Sequence, residues 1–304
     1  MRIIPATDLF FLSFYALLIP LVGTLVYFMS GRTEVLFIMP LLLALYLGLS
    51  LRQPLRRRRA TRAGLAPEWR DYLLAHSAYF RGLDDEGRSH FADDVSIFLA
   101  DTRIAATGGA AVNWQTRLLI AAGAAAMLHG RPEWDTPLAD GVTVYPGYTF
   151  DRNYRAGRGN IAGQAPPRGP LLVAEMSLLE GFANERDGTN VLLHELAHFF
   201  DLEARKGGMS ARAGRKGPAP WPEVIAAEYE RHDFASSILS AYAARNEAEF
   251  FAVASEMFFE NPGSLQQAHP GLFAILREFY GQDPRTVLDD SELGVGRRLQ
   301  DSLD

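Results

Sequence analysis

The chain contains no cysteine. That absence excludes a disulfide framework, a thiolate metal site and a cysteine nucleophile, so any transition metal has to be held by His, Asp or Glu. It also fits a reducing compartment. Histidine is scarce as well, at seven in 304 residues. A surplus of positive charge is missing over most of the length. The formal net charge is −6, and residues 1–62 hold eight Arg against Asp8 and Glu34, which leaves −12 for the remainder. So acidic a body excludes nucleic acid as the main partner, because phosphate binding needs a basic face on the folded domain. What the chain has in quantity is apolar sequence: 48% of its residues are hydrophobic, enough for a well-buried core in one sizeable domain or two small ones.

Part of that apolar content is concentrated at the front. Leu9 to Met29, LFFLSFYALLIPLVGTLVYFM, is 21 residues without a charge, long enough to cross a hydrocarbon core of about 30 Å as a helix. A second apolar run of 17 residues, Val35 to Leu51, lies at the short end of the spanning range. Only Ser30 to Glu34 separates the two. A secretory signal peptide fits less well: two apolar runs occur instead of one, and no small-residue cleavage site precedes the basic cluster. Arg52, Arg56, Arg57, Arg58, Arg59 and Arg62 follow the second run, whereas Arg32 in the short connection is offset by Glu34. Positive segments next to a span stay on the cytoplasmic side. The expectation is a two-helix transmembrane hairpin in the inner membrane, with everything after it cytoplasmic. Its arginines would lie close to anionic headgroups.

Residues 1–62 are therefore expected to form a membrane hairpin with a basic collar, and residues 63–304 a second domain. Thr61 to Pro67 reads as the linker. Tyr72, Leu73, Tyr79 and Phe80, then Phe91, Val95, Phe98 and Leu99, recur at helical spacing. Asn113 can cap a third helix, Trp114 to His129, whose AAGAAAML centre is small enough for close packing on a neighbour. The pattern changes at Gly141 to Phe150, GVTVYPGYTF, and at Leu171 to Ala174. Both read as short strands, which makes the fold class α+β, mainly helical with a small mixed sheet. The edge of the first strand is a candidate for pairing with an extended peptide. Gly157 to Pro170 and Lys206 to Pro222 read as loops.

The segment VLLHELAHFFD places His194 and His198 four residues apart, so on a helix both imidazoles leave one face a single turn apart and suit one tetrahedral metal ion. Glu195 lies too far around the helix to join them easily, yet can reach a metal-bound water as general base. Two imidazoles leave a zinc site incomplete: a His2Glu catalytic site needs a carboxylate from elsewhere and an open position. The helical stretch from Glu247 to Phe259 offers Glu247, Glu249 and Glu256, among which spacing does not choose. Glu249 and Glu256 share a face. Glu249 can equally be the N3 residue of a capping box with Asn246. Asp201, three residues past His198, either orients an imidazole or faces solvent.

PEWRDYL, VYPGYTF, GTNVLLHELAHFFD and AEFFAVASEMFF, in that order over most of Pro67 to Pro284, resemble the Mlc titration factor A family of zinc metallopeptidases, whose metal site is similar to that of anthrax lethal factor. The resemblance implies a zincin-like domain in which His194, His198 and Glu249 bind Zn2+, Glu195 is the catalytic base and Tyr242, seven residues before Glu249, assists. It implies a peptide or protein substrate. It also suggests a second kind of function, a protease-like module tethered to the membrane that sequesters a transcriptional regulator. The segment after HFFD lacks the Asp-Gly element of the family pattern.

Overall fold

A computed structural model describes residues 1–4, 6–107, 111–138, 140–148, 163–166, 169–206 and 221–288. The chain divides into two compact units, residues 2–63 and residues 64–304 together with Met1.

The smaller unit is made of helices α1 (Ala6–Ser30), α2 (Val35–Ser50) and α3 (Arg52–Ala63). From Leu9 to Ser30, α1 is long and apolar enough to cross a membrane. α2 reaches that length only when joined to α3, from which it is bent by 41°. A polar side chain inside an apolar helix needs a local partner, and several find one on a backbone carbonyl: Thr24 donates to Pro20, Ser13 to Leu9, and the Tyr46 hydroxyl to Phe11 of the neighbouring helix. Gly23 lets α2 approach closely, since a Cβ there would lie 2.3 Å from Met39 Cγ. The outward side chains of these helices, Leu17, Leu21, Phe28, Phe37 and Leu41 among them, are exposed.

The larger unit is mostly helical. α4 (Pro67–His76) and α5 (Ala78–Gly82) split a stretch whose apolar spacing reads as one helix. Ser77 is extended between them, and its hydroxyl caps α5 by accepting from the Phe80 amide. α6 (Asp85–Asp101) starts at the Asp84 cap. α7 (Trp114–Leu128) starts at Asn113, whose side chain accepts from the Thr116 amide at 2.7 Å. The small centre of α7 is buried throughout, and a Cβ on Gly123 would meet Leu192 Cδ2 at 2.6 Å, so the helix lies hard against its neighbour.

A four-stranded sheet is formed by β1 (Ile104–Ala106), β2 (Val142–Tyr145), β3 (Gly163–Gln164) and β4 (Leu171–Ala174), in the order β1-β2-β4-β3. β1, β2 and β4 are parallel, and β3 runs antiparallel to β4. Val142, Val144, Leu171 and Val173 are buried, as parallel strands under helices require. β2 is thus interior, hydrogen-bonded on both sides, and has no edge for a peptide; among the described residues the edge strands are β1 and β3. The strand also ends at Tyr145, five residues short of the GVTVYPGYTF segment's end, of which Thr149 and Phe150 lie outside the described residues.

After α8 (Glu175–Ala183) comes α9 (Val191–Arg205), which carries the HELAH residues; α10 (Trp221–Arg231), a 3-10 turn (Ala241–Arg245), α11 (Glu247–Glu260), α12 (Pro262–Ala268) and α13 (Pro270–Tyr280) complete the unit. α9, α7 and α11 share one core. Phe200, Phe250, Phe251, Phe258 and Tyr280 are fully buried in it, and the Tyr280 hydroxyl meets its hydrogen-bonding need on Ser255 at 2.8 Å. Most of the predicted loops, 157–170 and 206–222, lies outside the described residues.

A candidate metal centre between α9 and α11

The two central helices are registered by their caps. Asn190 begins α9, its side-chain oxygen accepting from the amides of Leu192 and Leu193. Asn246 begins α11 by accepting from the Glu249 amide at 3.0 Å. That is half of a capping box; the Glu249 carboxylate does not turn back to complete it but reaches across to α9.

There His194 Nε2, His198 Nε2 and Glu249 Oε2 converge. The three separations are 3.2 Å between the imidazoles, 3.0 Å from His194 to Glu249 and 3.3 Å from His198 to Glu249. A tetrahedral zinc site with metal–ligand bonds of about 2.0–2.1 Å has donor–donor edges of about 3.3–3.4 Å. The observed triangle matches those edges to within a few tenths of an ångström, and its donors, two nitrogens and a carboxylate oxygen, are of the kind zinc takes. His194, His198 and Glu249 therefore form a group able to hold a metal ion.

The electrostatics of the metal-free chain fit the same reading. Burial disfavours a charged imidazole at His194, but hydrogen bonds to Glu249 and Glu256 outweigh it and raise the group to about 10. Glu249 pays its own burial cost and is nevertheless held well below the usual carboxylate range by the two histidines. The pocket is short of positive charge, and a proton on His194 supplies it in the metal-free chain.

Glu195 is buried beside the triangle, 7% exposed, and burial pushes its carboxyl up to about 7 against the pull of His194 and His198. The edge strand β3 runs directly over it: a Cβ on Gly163 would lie 2.4 Å from Glu195 Cγ. Tyr242, in the 3-10 turn before α11, donates its hydroxyl to Glu249 Oε1 at 3.3 Å and is 43% exposed. The Arg245 guanidinium lies 4.8 Å over its ring. All five predicted site residues, His194, Glu195, His198, Tyr242 and Glu249, line one cleft of about 590 Å3, with Gly163 to Ala165 on its rim.

The other candidates go elsewhere. Glu247 is half-buried and pairs with Arg205 at 3.2 Å. Asp201 neither orients an imidazole nor faces solvent: it is buried, taking Arg205 Nε at 2.7 Å and the Trp221 indole N–H at 2.8 Å, so it fastens α10 to α9. Glu256 is buried on the far side of His194, at its Nδ1. Gly163 is a site residue that the sequence reading leaves inside a Gly- and Pro-rich loop.

A family model described as the glucose-regulated metallo-peptidase M90 matches residues 51–281. An uncharacterized protein of Synechocystis is 26% identical over 244 residues, covering 75% of this chain and 89% of that protein. Mlc titration factor A of Edwardsiella ictaluri is 32% identical over 145 residues, 43% of this chain and 53% of the relative. That of Yersinia enterocolitica is 30% identical over 164 residues, 47% and 59% respectively. The chain spans about half the length of these two Mlc titration factor A relatives.

Proposed function

The chain belongs to the M90 metallopeptidase family, and from that premise we propose that it is a zinc-dependent peptidase in which His194, His198 and Glu249 hold the metal and Glu195 moves the proton. The observation that carries this reading is the donor triangle with a buried carboxyl beside it in an open cleft. A zinc ion bound there would supply Lewis acidity, polarising a peptide carbonyl and bringing a water's pKa down to about 7. Glu195 takes the proton from the attacking water and delivers it to the leaving amine. The Tyr242 hydroxyl, which reaches Glu249 beside the triangle, donates to the oxygen on which negative charge develops. β3, an edge strand among the described residues and the one over Glu195, is where an extended substrate main chain can pair.

A peptidase needs the proton carrier as well as the metal, and a binding module needs neither to turn over. Glu195→Gln keeps the shape and loses the base, so hydrolysis of a peptide substrate should fall by about 10²–10⁴-fold with metal content unchanged. Normal turnover in that variant would overturn the reading. A second reading is favoured by the relatives named Mlc titration factor A: a module that sequesters a transcriptional regulator. It predicts retention of such a regulator by both the wild type and Glu195→Gln.

The front of the chain is read as a membrane anchor. On this reading α1 spans, α2 returns, and α3, which carries the Arg52 to Arg62 cluster, stays cytoplasmic, so that the peptidase unit lies on the cytoplasmic side of the inner membrane.

A further inference from the structure

His194 has two ring nitrogens, and only one can face a metal. Its Nε2 points into the donor triangle; its Nδ1 lies 2.7 Å from Glu256 Oε1. The other oxygen of the same carboxylate accepts from the Asn190 backbone amide at 2.6 Å. Both oxygens are therefore engaged by α9, one at its cap and one at its first imidazole, and the side chain is only 7% exposed. Glu256 lies two helical turns from Glu249 on α11, so a single helix face presents one carboxylate to each side of the same ring.

A neutral imidazole carries one N–H and one lone pair. A carboxylate at Nδ1 accepts the N–H there and leaves the lone pair on Nε2, the nitrogen aimed at the triangle. We infer that Glu256 is a positioning residue for the metal centre: it fixes the tautomer and the ring plane of His194 and ties both to the N-cap of the helix that carries His198 and Glu195. The inference rests on the metal-centre reading above and adds to Glu249 and Glu195 a third acidic side chain, one that touches neither metal nor substrate. Its geometry also explains why Glu256 cannot serve as the third ligand, since the ring of His194 stands between it and the triangle.

The substitution Glu256→Gln tests this sharply. An amide has one acceptor oxygen for two donors. If that oxygen serves Asn190, the NH2 group faces Nδ1, which must then accept, and the imidazole proton moves to Nε2 where the metal has to bind. The expected result, read by competition of the purified full-length protein with a chromophoric chelator, is a loss of Zn2+ affinity of about 10–100-fold. The visible absorption of the Co2+-loaded variant should shift at the same time, with circular dichroism verifying the fold. Affinity within about threefold of wild type and an unchanged cobalt spectrum would overturn the inference. Should the variant fail to fold, the wild type decides alone: in the zinc-loaded, 15N-histidine-labelled protein the His194 Nδ1–H should be shifted downfield and protected from solvent exchange by its hydrogen bond to Glu256, and a rapidly exchanging Nδ1–H contradicts the proposal. If the wild type takes up no metal in the same titration, the metal-centre reading itself is what fails.

Discussion

At the scale of single residues, the site depends on one missing side chain as much as on those present. Gly163 brings the backbone of β3 to within van der Waals range of Glu195, and an added methyl would lie 2.5 Å from Glu195 Oε1. Because Glu195 is buried under the strand, it cannot yield by swinging into solvent. Gly163→Ala should therefore displace the proposed base: kcat falls by about 10²-fold, the scale of a misplacement near 1 Å, while bound metal stays at wild-type stoichiometry. Loss of metal together with activity would show that the glycine serves the fold of the whole cleft instead. His194, Glu195 and His198 were legible from the sequence because i, i+1 and i+4 on a helix set their directions locally. Gly163 was not, since nothing in a Gly- and Pro-rich stretch says which glycine passes over a carboxyl. The third donor was only half legible: Glu247, Glu249 and Glu256 are all on α11, and the rotation of that helix against α9 decides among them.

At the scale of elements, α11 holds the start of α9 through a pair of buried acids one turn apart. Glu256 takes the Asn190 amide, and Glu260 takes the Gly188 and Thr189 amides at 3.1 and 3.0 Å and the Asn190 side chain at 3.0 Å. Burial, opposed by these donors, still pushes the Glu260 carboxyl up to about 8. A carboxyl raised on folding binds its proton more tightly in the native than in the unfolded chain. Its contribution is complete below the unfolded value near 4.5 and is lost as pH rises towards about 8. Glu260→Gln removes that titration. In metal-free protein, thermal denaturation at pH 5 and pH 8 should show a smaller drop in Tm for the variant than for the wild type; an equal or larger drop would assign the pH dependence to other groups. The helices themselves were readable from periodicity and from caps such as Asn113 and Asn246. The order of the strands was not. β2 carries the pattern of a strand, but whether a strand is central or at an edge depends on which partners the crossover helices bring to it, and β3 is too short to leave a pattern.

At the scale of the whole molecule, charge and hydropathy are segregated along the chain: an apolar, arginine-flanked front and an acidic body. α1 is long and apolar enough to cross a membrane, whereas α2 is not on its own, so the orientation rests on the arginines. The proposed topology, a hairpin with both ends retained by those charges, predicts that a reporter active only in the cytoplasm gives signal when fused after Asp304. A reporter active only outside the cytoplasm giving signal at the same position would reverse the topology. The apolar run was evident in the sequence because twenty-odd uncharged residues need no tertiary information to be recognised. How a peptide enters the cleft was not, because the rim belongs to β3 and the turn of Tyr242, which come together only in the fold.

The account stands on one coordination site, and X-ray absorption at the zinc edge of the metal-loaded chain reads it directly. It should show a first shell of nitrogen and oxygen at about 2.0–2.1 Å with outer-shell scattering from two imidazoles, reduced in His194→Ala and in His198→Ala. A wild-type spectrum with fewer than two imidazoles, or one left unchanged by either substitution, would contradict it.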